Sequence, residues 1–452
     1  MLTRRQMLCQ AGTGLGMLGL AGLFAEAQDR SNPLAVRIPH HPPRAKRVIF
    51  LFMPGGPSQI DTFDPKARTL ADSGKPLPLS SLGLTRVVPG KLLGSPWKFS
   101  RHGKSGIEVS ELFPRLAERV DDLCIVRSMV SDNISHPGAY RQMHTGEETF
   151  SRPSMGSWLL YGLGSENQNL PGFVVISPQD TQGAYGWSSS FLPAAYQGTY
   201  VSDLARPIAN LTGARPAEAQ RKSLDLLRRL NGRHAQERPD DSSLEARIGS
   251  FELAYRMQME APEAFDVERE SEATKKLYGL DRKETQTYGR QCLMARRLVE
   301  RGVRFVEVFS PVNWDHHAKI KANLPANCAA VDQPVAGLLQ DLNARGLLDD
   351  TLVVWGGEFG RTPTAEGTDG RDHHPHGFTM WLAGGGVKGG FVHGATDEFG
   401  WNAVENKVHV HDLHATILHL MGIDHEKLTY RYGGRDYRLT DVYGNVVHAI
   451  LA

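Results

Sequence analysis

The sequence is short of cysteine: four in 452 residues, with no Cys-x-x-Cys pair and no regular spacing. That argues against a thiolate zinc ribbon, a thioredoxin-type redox pair and a disulfide scaffold. An excess of either charge is missing too, since 51 lysines and arginines meet 50 aspartates and glutamates. The balance leaves no basic surplus to hold a phosphate backbone and no acidic surplus to keep the chain disordered, so nucleic acid is not an expected partner. No apolar run reaches the roughly 20 residues that a membrane-spanning helix needs. No Gly-x-Ser-x-Gly elbow occurs, which sets aside a hydrolase serine of that type. The glycine run Gly384-Gly385-Gly386-Val387-Lys388-Gly389-Gly390 lacks the Ser or Thr that a phosphate-cradling loop places after its lysine, and reads as a turn.

What is present is the composition of a globular chain, 40% hydrophobic and 22% charged, with 47 glycines and 26 prolines for many short loops. Residues 1–27 read as a twin-arginine export signal: Arg4-Arg5 precede a Gly, Ala and Leu-rich stretch to Phe24, and Ala25-Glu26-Ala27 offers small residues for cleavage. The expected location is periplasmic or extracellular, with no stable membrane span after cleavage. Residues 28–46, polar and proline-bearing, read as a linker.

From Arg47 onward, short continuous apolar runs recur at 47–53, 123–130, 173–176, 303–309, 351–355 and 378–383. Such runs suit strands buried on both faces. Helical patterns lie between several of them, including 331–347 and 413–421, the second with Asp412 placed to cap it. The expected fold class is therefore α/β, a mostly parallel central sheet with helices on both faces, forming one domain over 47–452. The stretch at about 202–300, rich in Arg, Glu, Gln and Ala, reads as a helical insertion.

Parallel sheets present ligand sites at the carboxyl ends of their strands, so the loops after these runs carry the candidate chemistry. Asp315 and His317, two apart in Trp314-Asp315-His316-His317, can face one cation with an oxygen and a nitrogen. Gly356-Gly357-Glu358-Phe359-Gly360-Arg361 brings a carboxylate and a guanidinium into one crevice. Asp372-His373-His374-Pro375-His376 concentrates imidazoles before another strand, with Asp372, His374 and His376 as candidate metal ligands. His136, Arg141 and Thr145-Gly146 follow the 123–130 run, where His and Arg suit a general acid, a nucleophile or an anion clamp. Pieces converging from several strand ends point to a divalent metal, zinc first, with calcium or magnesium as alternatives.

The order of these pieces resembles the alkaline phosphatase and sulfatase superfamily. In particular it resembles the twin-arginine-exported branch of unknown function whose members are often labelled sulfatases. The strings that carry the resemblance are Gly55-Gly56-Pro57-Ser58-Gln59-Ile60-Asp61-Thr62-Phe63-Asp64-Pro65, Trp314 to His317, Gly357 to Pro363, and the tail from His411 to Gly444. The resemblance implies an alkaline-phosphatase-like fold and a metal-dependent hydrolase of phosphate or sulfate esters. Asp315, His317, Glu358 and a histidine of the 373–376 group would hold the metal, Asp61 or Asp64 would reach in from the first loop, and Arg361 or Arg141 would neutralise anionic charge. Where the characterised enzymes have a hydroxyl or thiol nucleophile, counting back from Thr145-Gly146 lands on His136, which would act as nucleophile or general acid. The implied substrate is an anionic ester, with a carbohydrate-linked form among the options. The alternative is a catalytically degenerate secreted binding or structural protein on the same scaffold.

Overall fold

The computed structural model describes residues 32–78, 89–177, 184–207, 217–236, 256 and 261–452. The signal expected at 1–27 lies outside them. Among the described residues, nine strands form the central sheet: β1 (Arg47–Phe52), β2 (Leu123–Val130), β3 (Phe173–Ile176), β4 (Thr199–Val201), β5 (Phe305–Phe309), β6 (Thr351–Gly356), β7 (Phe378–Ala383), β8 (Phe391–His393) and β9 (Val408–His409). Their order is β8-β2-β7-β6-β1-β5-β3-β4, with β9 also on β2. All pairs are parallel except those of β7, which runs against both β2 and β6. The sheet is thus α/β and mostly parallel, as the apolar runs led one to expect.

The period of two along a strand divides the core. Ile49 and Leu51 of β1 face one side, where they meet helices α4 (Gln286–Glu300) and α5 (Ile320–Ala344). Val48, Phe50 and Phe52 face the other, against α1 (His136–Thr145), α2 (Met155–Leu163) and α6 (Val410–Leu420). A strand with apolar residues on both faces needs cover on both, and the two helix layers supply it.

Three expectations change. The helical stretch at about 202–300 divides: α3 (Ala217–Gln236) carries exposed leucines, whereas α4 is a core helix whose Cys292, Leu293 and Met294 are fully buried beside the sheet. The linker is no free tether over residues 32–46. Arg44 and Ala45 donate to Leu420 O, His41 to Gly422 O and Arg37 to Leu163 O, so this strap lies across the ends of α2 and α6. Asp412 is not the cap of α6 but its third residue; His409 caps the helix, and the Asp412 carboxylate reaches back to the His409 N–H.

Candidate metal centre

Five segments meet at the carboxyl edge of the sheet. β1 leads into Pro54-Gly55, β5 into Asp315 and His317, β6 into Glu358, and β2 into α1, whose first residue is His136. β7 enters from the opposite direction, so the residues preceding it arrive at the same edge. The loops pack without space between them. A β-carbon on Gly55, whose φ is +106°, would stand 2.4 Å from Asn313 Oδ1 and 2.6 Å from Asp315 N; one on Gly370 would stand 1.7 Å from His317 O. Glycine is required at both places because another loop already occupies the room a side chain would take.

The ligand atoms of His136, Asp315, His317 and His373 all lie within 4.8 Å of one another. Asp315 Oδ1 is 2.9 Å from His317 Nε2 and 3.2 Å from His373 Nε2, while Oδ2 is 3.2 Å from His136 Nε2. Each imidazole is held from behind through its other nitrogen. His136 Nδ1–H donates to Glu358 Oε1 at 2.6 Å, His373 Nδ1–H donates to the Ile134 carbonyl at 2.6 Å, and His317 Nδ1–H donates to Glu366. Those bonds fix the tautomers, so in the neutral rings all three Nε2 atoms present lone pairs.

The Nε2 atoms of His317 and His373 stand only 2.9 Å apart. Two lone pairs at that distance repel unless a proton or a cation lies between them. His136 Nε2 is buried, with the Asp315 carboxylate 3.2 Å away but no well-aligned hydrogen bond among the described residues. Three imidazole nitrogens and one carboxylate oxygen make the N3O donor set that zinc accepts in a tetrahedral arrangement, and their outward bonds to Glu358, Glu366 and a backbone carbonyl are of the kind that supports metal-bound histidines. The residues fit a divalent ion.

Without a cation, the carboxylates of the cluster favour a proton on His136, which a bound metal would displace. Burial opposes a charge on His136, but Asp315 and Glu358 outweigh it and lift its pKa to about 9. Burial would raise Asp315, yet His136, His373 and the Arg361 guanidinium hold it well below the usual carboxylate range. His316, the remaining histidine of this loop, turns toward Asn327, and burial followed by the nearby Arg361 charge lowers it to about 4.

Not every residue singled out from the sequence reaches this centre. Asp61 is fully buried in an ion pair with Arg371 at 2.7 Å and also accepts from Ser58, and Asp64 is tied to Lys66 at 3.0 Å and to Thr396; neither reaches in. His374 and His376 are outside it as well. The two-stranded ribbon that pairs His373 with Arg361 and His374 with Gly360 sends adjacent side chains to opposite faces, so His373 meets Asp315 while His374 enters the core and donates from Nε2 to Trp401 O. His376 follows His374, its ring 5.4 Å from that of His374. Asp372 stands at the rim in a second group with His317 and Glu366.

Glu358, 1% exposed, orients His136 and accepts the Gly55 N–H at 3.0 Å, so it stands behind the ligands rather than among them. Arg361 is fully buried and spends its donors on Asp315 and the carbonyls of Gly55, Gly56 and Arg371, which aims it at a ligand instead of at a substrate anion. Arg141 donates to the carbonyls of Glu148 and Thr149 and covers the Tyr185 ring. Trp187, Phe191 and Tyr196 pack against Tyr200, Tyr432 and Tyr161. Two contributors escaped the sequence reading. Glu366 sits in a polar loop with no pattern around it, and Ile134 contributes only its backbone.

Solved structures of similar shape include a PsFucS1 sulfatase from Pseudoalteromonas sp., at 13% identity and TM-score 0.36, covering 85% of this chain and 69% of that one. The lipoteichoic acid synthase LtaP of Listeria monocytogenes follows at 11% and 0.35, covering 88% and 78%. An alkaline phosphatase from the Antarctic bacterium TAB5 stands at 10% and 0.33, covering 83% and 98%. No curated protein matches the chain. The family described as Protein of unknown function (DUF1501) matches residues 45–451, and the chain belongs to it.

Proposed function

We propose that this protein is a metal-dependent hydrolase of phosphate or sulfate esters, exported by the twin-arginine route to the periplasm or beyond. The observation that carries the reading is the convergence of three imidazole Nε2 atoms on Asp315, each ring pinned through Nδ1. His136, Asp315, His317 and His373 would hold the ion, zinc before calcium or magnesium. A divalent ion in such a site polarises an ester oxygen and makes water more acidic. The chain's own part is to hold the donors in place: Glu358 keeps the proton on His136 Nδ1, Glu366 does the same for His317, and Arg361 fixes the Asp315 carboxylate. The proposed substrate is an anionic ester, carbohydrate-linked in one form, which agrees with the motif resemblance to sulfatases and phosphatases.

One observation favours a catalytically degenerate binding protein. His136 stands where that superfamily has its hydroxyl or thiol, and Cys124, Cys292 and Cys328 are buried within β2, α4 and α5; burial pushes the Cys124 thiol up to about 12. The two readings separate on metal content and turnover. Mature protein purified without chelators and analysed by plasma mass spectrometry should contain about one equivalent of a divalent ion. It should also release phosphate or sulfate from aryl esters, and Asp315→Ala with His317→Ala should lose both. A metal-free wild type that takes up no added metal overturns the hydrolase reading; a loaded protein that turns over no ester favours the binding protein.

A further inference from the structure

Outside the ligand cluster, a buried ion pair between α1 and β5 is unused by the proposed chemistry. His144 and Glu307 are 2% and 1% exposed, with His144 Nε2 at 2.5 Å from Glu307 Oε1 and His144 Nδ1 at 2.7 Å from the Tyr140 carbonyl. Glu307 sits at the middle of β5, in register with Phe50 of β1 and Val175 of β3, a place where the neighbouring positions are apolar. The His144 ring is stacked on Tyr140 at 4.2 Å, lies parallel to Phe309 at 5.9 Å and meets Phe52 edge-on at 4.6 Å. It therefore touches the ends of β1 and β5 as well as its own helix.

Replacing a buried ion pair by apolar residues of similar volume is often neutral or stabilising, so stability does not account for a charged pair in this core. Its placement does. His144 closes α1 and His136 opens it, two turns and about 12 Å away. Glu307 lies on the strand that runs into the Asp315 loop. The pair thus ties together the helix and the strand whose far ends carry His136 and Asp315, and it does so through one directional bond where apolar packing would tolerate a slide.

We infer that His144 and Glu307 are positioning residues for the metal centre: their bond sets the depth and rotation of α1 against β5, and so the distance of His136 Nε2 from Asp315. The inference rests on reading the cluster as a metal site, but its structural half can be measured without metal.

The test compares wild type with His144→Phe/Glu307→Leu, Glu307→Leu alone, and Glu307→Gln, which keeps an acceptor for His144. The apolar double variant should melt within a few degrees of wild type yet bind zinc at least about 10-fold more weakly, the scale on which supporting residues act at metal sites, while Glu307→Gln stays within about 3-fold. In the chelated protein, a crystal structure of the double variant should show His136 moved from its 3.2 Å separation from Asp315. Should the double variant not fold, Glu307→Leu against Glu307→Gln gives the same ordering. Equal zinc affinities across folded variants, with His136 unmoved, overturn the inference. A wild type that binds no zinc defeats the metal reading alone, and the His136 to Asp315 separation in the metal-free proteins then decides the positioning claim.

Discussion

Two groups of histidines in this molecule are mirror images in chemistry. At the cluster, His136, His317 and His373 are tied through Nδ1 and turn Nε2 toward Asp315. In the interior, His374, His411 and His414 are tied through Nε2, donating to the carbonyls of Trp401, Gly146 and Met143, and their Nδ1 atoms are buried without a partner among the described residues. The first group gathers lone pairs around one point; the second scatters them. Imidazole density alone therefore does not mark a metal site. What marks it is which nitrogen the fold has already used, and whether the other nitrogens share a focus.

The largest expected effect breaks the first group. Asp315→Ala removes the shared acceptor, abolishes metal uptake and leaves the buried Arg361 without its carboxylate. A loss of roughly 3–5 kcal/mol follows from stripping one partner from a buried pair, measurable by denaturant unfolding of the chelated protein. Next comes Glu366→Ala, which removes the acceptor that holds the proton on His317 Nδ1. Zinc affinity should fall about 10–100-fold in competition titrations, with the melting temperature of the chelated protein unchanged.

The two groups should also respond to pH with opposite signs. Burial lowers His374 and His414 to about 3, below the ordinary value of 6.5, so the unfolded chain takes up protons that the folded one refuses. Their contribution is fully present above pH 6.5 and is lost as pH falls from there toward 3, at about 1.4 kcal/mol per pH unit for each histidine. His374→Gln, which keeps a donor for Trp401 O, should reduce that acid slope by about one proton in urea titrations across pH 4 to 6.5. His136 runs the other way. With its pKa at about 9, its contribution in the metal-free protein is present below pH 6.5 and lost as pH rises through 9, and zinc should suppress this alkaline slope. The smallest expected effect is a control: Arg141→Ala, outside the cluster, should change zinc affinity by less than about 2-fold.

Much of the sheet was legible in the sequence because strands buried on both faces leave unbroken apolar runs. β2, β3 and β7 begin and end where the runs do. Helix α5 was harder. It starts at Ile320 instead of 331, and the part that was missed contains Pro325, a residue that ordinarily interrupts a helix. The cluster was legible in part. Asp315 and His317 follow from their spacing after a strand, but the choice of His373 over His374 depends on a ribbon pairing with Arg361 that only the folded chain provides. Asp61 is a candidate only through the family resemblance, which wants an acidic group from the first loop; Arg371, 310 positions away, claims it instead. Backbone acceptors such as Ile134 O leave no trace in side-chain composition.

The reversed direction of β7 gives its two ends different neighbours. Because this strand starts at the edge where its neighbours finish, the segment ahead of it is committed to the centre, and every insertion there would displace His373. The segment behind it emerges at the opposite pole, where Gly384 to Gly386 turn beside Leu348, Leu352 and Arg44. A side chain at Gly384 would meet Leu348 O at 2.2 Å, so a change in that turn strains its own pole first and lies a full sheet's depth from the metal centre.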